Sequence, residues 1–198
     1  MAEEQKRLRD PLSVGVECSD DDLMAEAASG DERAFAIVVR RHYDPLRALA
    51  LRFSGSEAEA EDVVQETFVA AWKAAPDWQP GRARLSTWLY RVTVNRCIDR
   101  SRRAKRWRPV GLDDGPDPRD QSPDQENRLH WVKAVGKARE AIVELPARQR
   151  AAILLAADGG HSNKEIAEIL GTGPGAVEQL LVRARRTLRA ALATEMEV

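Results

Sequence analysis

Apolar residues recur at helical spacing along most of this chain, and the pattern predicts an all-α protein. One amphipathic helix is predicted from Glu57 to Ala75. Ser56 and Glu59 have the spacing of a capping box at its start. Its buried face is expected to hold Val63, Val64, Thr67, Phe68, Ala71 and Trp72. Strand-period alternation and hairpin signals do not occur in the sequence, so we expect helices throughout.

Three further helices are predicted around this one. Asp20 can cap a short helix that ends at Gly30, and Asp31 can cap a second helix that runs through FAIVVRRHY. Pro45 is expected to bend or interrupt that second helix near residues 42–44, because proline cannot donate a backbone hydrogen bond inside a helix. Ser86 can cap a further helix, TWLYRVTVNRCIDRSRR.

A polar segment then divides the chain into two parts. The stretch from 110 to 127 holds three prolines (Pro116, Pro118 and Pro123), two glycines and six acids, and it has too few apolar residues to bury a core. We therefore predict a flexible linker at 109–128. It separates a helical domain at 20–108 from a second domain at 129–198, and a tail occupies 1–19.

The second domain is predicted to open with a helix at 129–145 and a second one, PARQRAAILLAADGG, in which Pro146 occupies the first turn. Gly159 and Gly160 should stop that helix. Ser162 and Glu165 form another capping box, which opens the short helix NKEIAEIL. Gly171 should end the short helix, whose inward residues are Ile166, Ala167 and Leu170.

The last helix begins near Pro174 and completes a helix-turn-helix pattern. Its buried stripe is predicted to be Val177, Leu181, Ala184 and Leu188. The outward face then holds Gly175, Ala176, Glu178, Gln179, Val182, Arg183 and Arg186. In such a unit the second helix enters the major groove of DNA. A helix pair of this kind is also an ordinary packing motif, and that alternative stays open.

The net charge of −1 does not show how the charges are distributed, because acids and bases cluster in different segments of the chain. Seven acids and no base lie between residues 17 and 32, and five acids and no base lie between 57 and 66. The segment 82–108 carries ten bases against the single acid Asp99. This block indicates a polyanionic partner.

The basic block also carries aromatic residues. Trp88 and Tyr90 alternate with arginines, and Trp78 lies in the preceding loop. Aromatic rings beside arginines suit a single strand, because unpaired bases stack on rings while the backbone follows the cations. Core packing is the alternative for Trp88 and, with less weight, for Tyr90.

The helix-turn-helix carries an unexpected acid. Glu178 can accept a hydrogen bond from cytosine and Gln179 can pair with adenine, while the later arginines hold phosphates. Alternatively, both side chains are only solvated. In either case a carboxylate close to phosphates weakens nonspecific attraction, so this unit is not expected to bind DNA tightly alone.

Composition excludes several classes of protein. With 43% hydrophobic and 32% charged residues the chain fits a soluble globular protein, and its longest apolar run, AAILLAA, is too short to span a bilayer. The first residues lack the features of a secretory signal, so we expect a cytoplasmic protein. Cys18 and Cys97 have no metal-ligand spacing and the three histidines are scattered, so we expect neither metal nor cofactor.

At these motifs the chain resembles bacterial RNA polymerase sigma factors of the extracytoplasmic-function group of the sigma-70 family. The matching stretches are EDVVQETFVAAW at 61–72, LSTWLYRVTVNRCID at 85–99, LPARQR at 145–150 and NKEIAEILGTGPGAVEQLLVRARRTLR at 163–189. The resemblance covers about 20–103 and 129–192.

The resemblance implies a sigma factor, not an enzyme, that binds core RNA polymerase and directs promoter recognition and DNA melting. The residues implied to contact the clamp of the largest polymerase subunit are Asp62, Gln65 and Glu66, for which a solvated face is the alternative. Those implied to capture the downstream promoter element are Trp78, Arg82, Arg84, Trp88, Tyr90, Arg91, Asn95, Arg96, Arg100 and Arg103.

The second domain would read the upstream promoter element as duplex and contact the polymerase flap. The residues implied to bind the DNA of the upstream element are Ser162, Lys164, Ala176, Glu178, Gln179, Arg183 and Arg186. An anti-sigma factor is a further expected partner, on resemblance alone. A linker that behaves as a flexible coil spans only about 25 to 30 Å, which is too short to place the two domains on promoter elements several DNA turns apart. We therefore predict that the free protein binds promoter DNA poorly until polymerase holds the linker extended.

Two other functions remain as alternatives. One is a self-sufficient regulator with a helical sensing domain, which would bind two half-sites as a dimer. The other is a nuclease that uses the acids near 57–66, since Asp62 and Glu66 share a helix face. Catalysis would require convergent metal ligands, and no further ligand set can be identified in the sequence.

Overall fold

The structure, a computed structural model, describes residues 18–107 and 125–193, with side chains at 18–104 and 135–193. The predicted all-α class is confirmed, since these residues form helices and turns without strands. The first half of the chain (18–107) contains α1 (Asp20–Ala28), α2 (Glu32–Ser54), α3 (Glu57–Ala74), a 3-10 turn (Ala75–Asp77) and α4 (Leu85–Trp107). The second half (125–193) contains α5 (Gln125–Glu144), α6 (Ala147–Ala157), α7 (Asn163–Leu170) and α8 (Pro174–Ala193).

The helix starts follow local capping signals, with two corrections in the first half. Asp31 caps α2 as predicted, by accepting hydrogen bonds from the N–H groups of residues 33 and 34. The prediction that Asp20 caps α1 is wrong, because Ser19 is the N-cap and forms a reciprocal capping box with Asp22. The Ser86 cap is also wrong, since α4 already begins at Leu85.

Pro45 does not interrupt α2, contrary to the prediction. The helix runs unbroken through it from Glu32 to Ser54. Proline removes one backbone donor and crowds the preceding turn, at a cost of about 3 kcal/mol inside a helix. Buried residues on both sides of the proline offset that cost: Ala34, Ile37, Val38, Leu46, Leu49, Ala50 and Phe53.

The second half follows its sequence signals closely. Ser162 and Glu165 form the predicted capping box, and Gly171 ends α7 in the left-handed conformation, with φ of 59°. Pro146 is the N-cap of α6, one position before the predicted first turn. Helix α5 begins at Gln125, so the last part of the predicted linker is helical. Residues 109–124 of that linker lie outside the described residues, and the domain boundaries remain a prediction.

A continuous apolar core extends across both halves. In the first half it includes Leu23, Met24, Leu49, Phe53 and Leu89, all almost fully buried. It continues into the second half with Leu155, Ile166, Ile169, Val177 and Leu181. Helix α4 packs on α6 and α7, and α2 packs on α5 and α6. The two halves therefore lie in direct contact through α2 and through α4, which carries seven of the ten bases of the segment 82–108.

Candidate nucleic-acid interface

The residues predicted to contact the downstream promoter element lie on the loop at 78–84 and on two faces of α4. Trp88, Arg91 and Asn95 follow each other at helical spacing on one face. Arg96 and Arg100 lie on another face, turned toward α3, and Arg103 lies one turn farther along α4. Five of the ten predicted residues are exposed to solvent: Arg82, Arg84, Arg91, Asn95 and Arg103.

The arginines on the α3 side of α4 form an ion-pair cluster with two acids. Arg100 donates to Glu66 Oε1 at 2.7 Å and to Asp62 Oδ2 at 3.2 Å, and Arg96 also donates to Glu66. The hydrogen bond from Arg100 holds the pKa of Glu66 below its ordinary value. Two residues predicted to bind polymerase are thus joined directly to two residues predicted to bind DNA.

Gln65, the third residue predicted to bind polymerase, lies on a different face of α3. It borders an open groove of about 620 Å³ between α2 and α3. The exposed Val69 lies in this groove. The apolar lining also includes Phe35, Val39, Val64, Phe68 and Trp72. Phe35 and Trp72 meet edge to face with ring centroids 5.0 Å apart, which stabilises the groove wall.

The three aromatic residues predicted to stack on bases are all half-buried. Trp78 and Trp88 meet edge to face with centroids 6.2 Å apart. The Trp78 indole N–H donates to Asp21 Oδ1 at 2.8 Å. The Trp88 ring packs against the core, which is the alternative considered for it, and its stacking on bases stays a prediction.

His161, which lies just before α7, covers Tyr90, the third of the predicted aromatic residues. Tyr90 packs edge to face on His161, with ring centroids 4.4 Å apart. This burial raises the pKa of Tyr90. Arg84, at the start of the same face, forms an ion pair with Glu165 at 3.6 Å. In this arrangement the second half occupies part of the surface predicted to bind the downstream element.

A buried arginine that the sequence reasoning missed helps to join the two halves. Arg150 is only 4% exposed. Its Nη1 donates to the carbonyl of Phe53 at 2.8 Å, and its Nη2 donates to the carbonyls of Leu145, at 3.2 Å, and Val143. Its guanidinium also lies 4.7 Å from the centre of the Phe53 ring. The only sequence signal was a base preceding the apolar run AAILLAA, which does not specify partners so far away along the chain.

The outward face of α8 matches the prediction from its periodicity. Val177, Leu181 and Ala184 are buried, and Leu188 is partly buried. The residues predicted to face outward are exposed: Gly175, Ala176, Glu178, Gln179, Val182, Arg183 and Arg186. Ser162 and Lys164, at the start of α7, are exposed as well. The structure therefore presents an unobstructed helix face with an acid near its start and arginines farther along.

Other chemistry is limited within the part of the chain that the structure describes. No group of three or more His, Cys, Asp or Glu side chains there could hold a metal ion. None of the described helices has the length and apolarity to cross a membrane. Cys97 is buried, and burial raises the pKa of its thiol to about 12. Both described cysteines are free thiols.

Comparison with known proteins finds matches for both halves of this helical chain. Residues 38–107 match the family described as Sigma-70 region 2, and residues 136–188 match Sigma-70, region 4. The chain is similar to the ECF RNA polymerase sigma factor SigM of Mycobacterium tuberculosis, with 34% identity over 87% of this chain and 84% of that protein. It is also similar to the RNA polymerase sigma factor CnrH of Cupriavidus metallidurans, with 35% identity over 93% of this chain and all of CnrH.

Solved structures give the same result. The chain resembles CnrH in complex with the cytosolic domain of CnrY, with a TM-score of 0.64 and 34% identity over 89% of this chain and 98% of that one. It also resembles the sigma factor RpoE in complex with the anti-sigma factor NepR from Bartonella quintana, with a TM-score of 0.60 and 25% identity over 81% and 98%.

The chain belongs to the extracytoplasmic-function group of the sigma-70 family of RNA polymerase sigma factors. Its class is therefore that of DNA-binding transcription initiation factors. Membership supports the sigma-factor prediction over the alternative of a self-sufficient dimeric regulator. The individual DNA-binding and polymerase-binding residues remain predictions.

Proposed function

We propose that this chain joins core RNA polymerase and directs it to promoters with two separate elements. The loop at 78–84 and α4 would hold the opened downstream element, and the outward face of α8 would read the upstream element as duplex. The observation that carries this assignment is the different chemistry of the two surfaces. One combines aromatic rings with arginines, as single strands require, and the other is an exposed helix face of groove-binding type.

The proposed role is non-enzymatic, and its site of action would be the cytoplasm, where the polymerase works. The clamp contact is assigned to α3, with Asp62, Gln65 and Glu66 as the proposed contact residues. Because Asp62 and Glu66 already pair with Arg96 and Arg100, polymerase would compete for the acids. DNA phosphates would compete for the arginines in the same way.

The free chain is proposed to be closed. Tyr90 packs against His161 and Arg84 pairs with Glu165, so the downstream strand cannot reach this face without displacing α7. Polymerase would separate the two halves and set the distance between them. This gives a structural reason, in addition to the linker, for the prediction that the free protein binds promoter DNA poorly.

An anti-sigma factor is proposed as the regulatory partner. Both solved relatives described above are complexes, CnrH with the cytosolic domain of CnrY and RpoE with the anti-sigma factor NepR. A partner of this kind would keep the two halves of the chain from engaging polymerase.

Run-off transcription with purified core polymerase and genomic promoter fragments tests the proposed function. We expect specific transcripts only when this chain is added, and footprints at two elements only in the presence of core. The variant Arg183→Ala should lose initiation at promoters that depend on the upstream element, whereas Arg139→Ala, an exposed arginine on α5, should not. Full protection of both elements by the free chain, or identical transcription without it, would contradict the proposal.

A further inference from the structure

Asp21, in the first turn of α1, reaches the loop that precedes α4. Its carboxylate accepts a hydrogen bond from the Trp78 indole N–H at 2.8 Å on Oδ1. It accepts a second bond from the Gly81 backbone N–H at 3.1 Å on Oδ2. One carboxylate therefore holds the loop at two points, a side chain at its beginning and the backbone near its middle.

The two acids beside Asp21 bind groups outside the loop, and Asp21 itself contacts the loop. Asp20 binds Arg41 at 2.9 Å and His42 at 2.7 Å on α2. Asp22 completes the capping box with Ser19. The bonds of Asp20 fix α1 on α2, and the capping box fixes the first turn of α1. The carboxylate of Asp21 is consequently held in position before any nucleic acid arrives.

The loop itself has few other fixed points. Residues 79–84 are exposed, and Gly81 has a φ of 76°, in the left-handed region that favours glycine. A turn is closed by the Arg82 N–H on the Gln79 carbonyl at 3.3 Å. The Trp78 ring rests on Trp88 at the start of α4. An exposed loop of this kind loses conformational entropy when it binds a ligand, unless bonds within the protein have already ordered it.

We propose that Asp21 is a positioning residue for base recognition at the downstream promoter element. It would act through Trp78 and Gly81 and hold the loop in the one conformation that presents Gln79, Arg82 and Arg84 to the separated strand. A hydrogen bond to a charged group is stronger than a neutral one, which suits a carboxylate to this task. The inference rests on the proposed function, since it requires the loop to contact promoter DNA.

The test uses reconstituted holoenzyme and promoters in which each base of the downstream element is varied. Asp21→Ala should reduce the preference for the best downstream base by about tenfold, the scale of one hydrogen bond to a charged group. Dependence on the upstream element and affinity for core polymerase should not change. Glu26→Gln removes an exposed carboxylate from the same helix and should behave as wild type.

Two further variants separate positioning from folding. Trp78→Phe keeps an aromatic ring but removes the N–H donor, and adding it to Asp21→Ala should cause little loss beyond that of Asp21→Ala alone. By itself Trp78→Phe should lose less, because the Gly81 N–H still bonds to Asp21. Asp21→Glu keeps the carboxylate and should recover part of the base preference. Thermal denaturation of each variant shows whether the fold survives.

The possible outcomes are distinct. If Asp21→Ala slows initiation by the same factor on every downstream sequence, or if its effect simply multiplies that of Trp78→Phe, the residue only supports the fold and the inference is overturned. If wild-type holoenzyme does not initiate at all, the proposed function fails and the inference fails with it. Loss of downstream preference with intact upstream dependence supports both.

Discussion

At the scale of single residues, the structure depends on charged side chains whose partners lie far away along the chain. Arg150 bonds to a carbonyl of α2 and to two carbonyls near its own helix. Asp21 and Glu66 likewise bridge separate elements. Arg150 is costly to remove because it is buried, and its partners would be left without a bond in a place that water does not easily reach.

The variant Arg150→Ala should destabilise the closed fold. The carbonyls of Phe53, Val143 and Leu145 would lose their donor, and the space under the guanidinium would be empty. We expect the free energy of unfolding to fall by about 3 kcal/mol, within the range for breaking a buried polar network. Urea unfolding followed by circular dichroism measures this change.

Arg139→Ala serves as the control for that experiment. It removes an exposed arginine of α5, so its effect should stay within about 0.5 kcal/mol. Equal losses for the two variants would show that Arg150 contributes no more than a surface charge.

Glu66 predicts a pH dependence of stability. Because Arg100 lowers the pKa of Glu66 below its ordinary value in the folded state, its contribution is complete above the ordinary pKa. It is lost as the pH falls through the lowered pKa. Glu66 is 46% exposed, so screening by solvent keeps the contribution below about 1 kcal/mol.

Comparison of wild type with Glu66→Gln at two pH values measures this dependence. The gap between their urea midpoints should be present in full at pH 7 and should be smaller at a pH below about 4.3, the ordinary pKa of glutamate, and it should close only below the lowered pKa of Glu66. A gap that is unchanged at the lower pH would mean that the ion pairs with Arg96 and Arg100 do not contribute to stability.

At the scale of elements, local signals predicted the helices but did not predict what each helix contacts. The start of α7 follows from Ser162 with Glu165, and the buried face of α8 follows from its apolar period. The prediction at Pro45 was wrong because burial of apolar α2 residues on both sides of the proline outweighs the loss of one backbone hydrogen bond. The pairing of Tyr90 with His161 and of Arg150 with Phe53 has no local signature, since the two members of each pair lie far apart along the chain.

Helix α8 predicts two different effects on DNA binding. Arg186→Ala should weaken binding of holoenzyme to all upstream sequences about equally and should reduce the slope of affinity against salt by about 1, because one phosphate contact is lost. Glu178→Ala should instead change the preference at one base position, if the carboxylate accepts a bond from cytosine. Fluorescence anisotropy at several salt concentrations distinguishes the two.

The control for both variants is Arg139→Ala, which removes charge outside this face. An unchanged base preference in Glu178→Ala would favour the solvated alternative for this residue. Equal salt slopes for wild type and Arg186→Ala would remove Arg186 from the phosphate contacts.

At the scale of the whole molecule, closure of the two halves limits access to α4. The variant His161→Ala removes the ring on Tyr90 without changing the first half, so it should shift the population of free chain toward the open form. We expect its affinity for a single-stranded downstream element to rise severalfold, in proportion to the open fraction gained. Anisotropy with a labelled oligonucleotide measures this rise.

Asn163→Ala is the control for closure, because Asn163 is an exposed residue at the start of α7, two positions after His161. With core polymerase present, wild type and His161→Ala should bind equally, since polymerase is proposed to separate the two halves. A wild-type free chain that binds the strand as tightly as His161→Ala would show that the closed arrangement does not restrict access.

The burial of Cys97 has a practical consequence for following these motions. A thiol reacts as its thiolate, and a buried thiol with a pKa of about 12 should be almost inert to maleimide reagents in the native protein. The half-buried Cys18, just before α1, would then be the preferred attachment point for a dye, with no engineering of the natural sequence. The rate at which Cys97 is slowly labelled would in turn report the rate of transient unfolding of the first half.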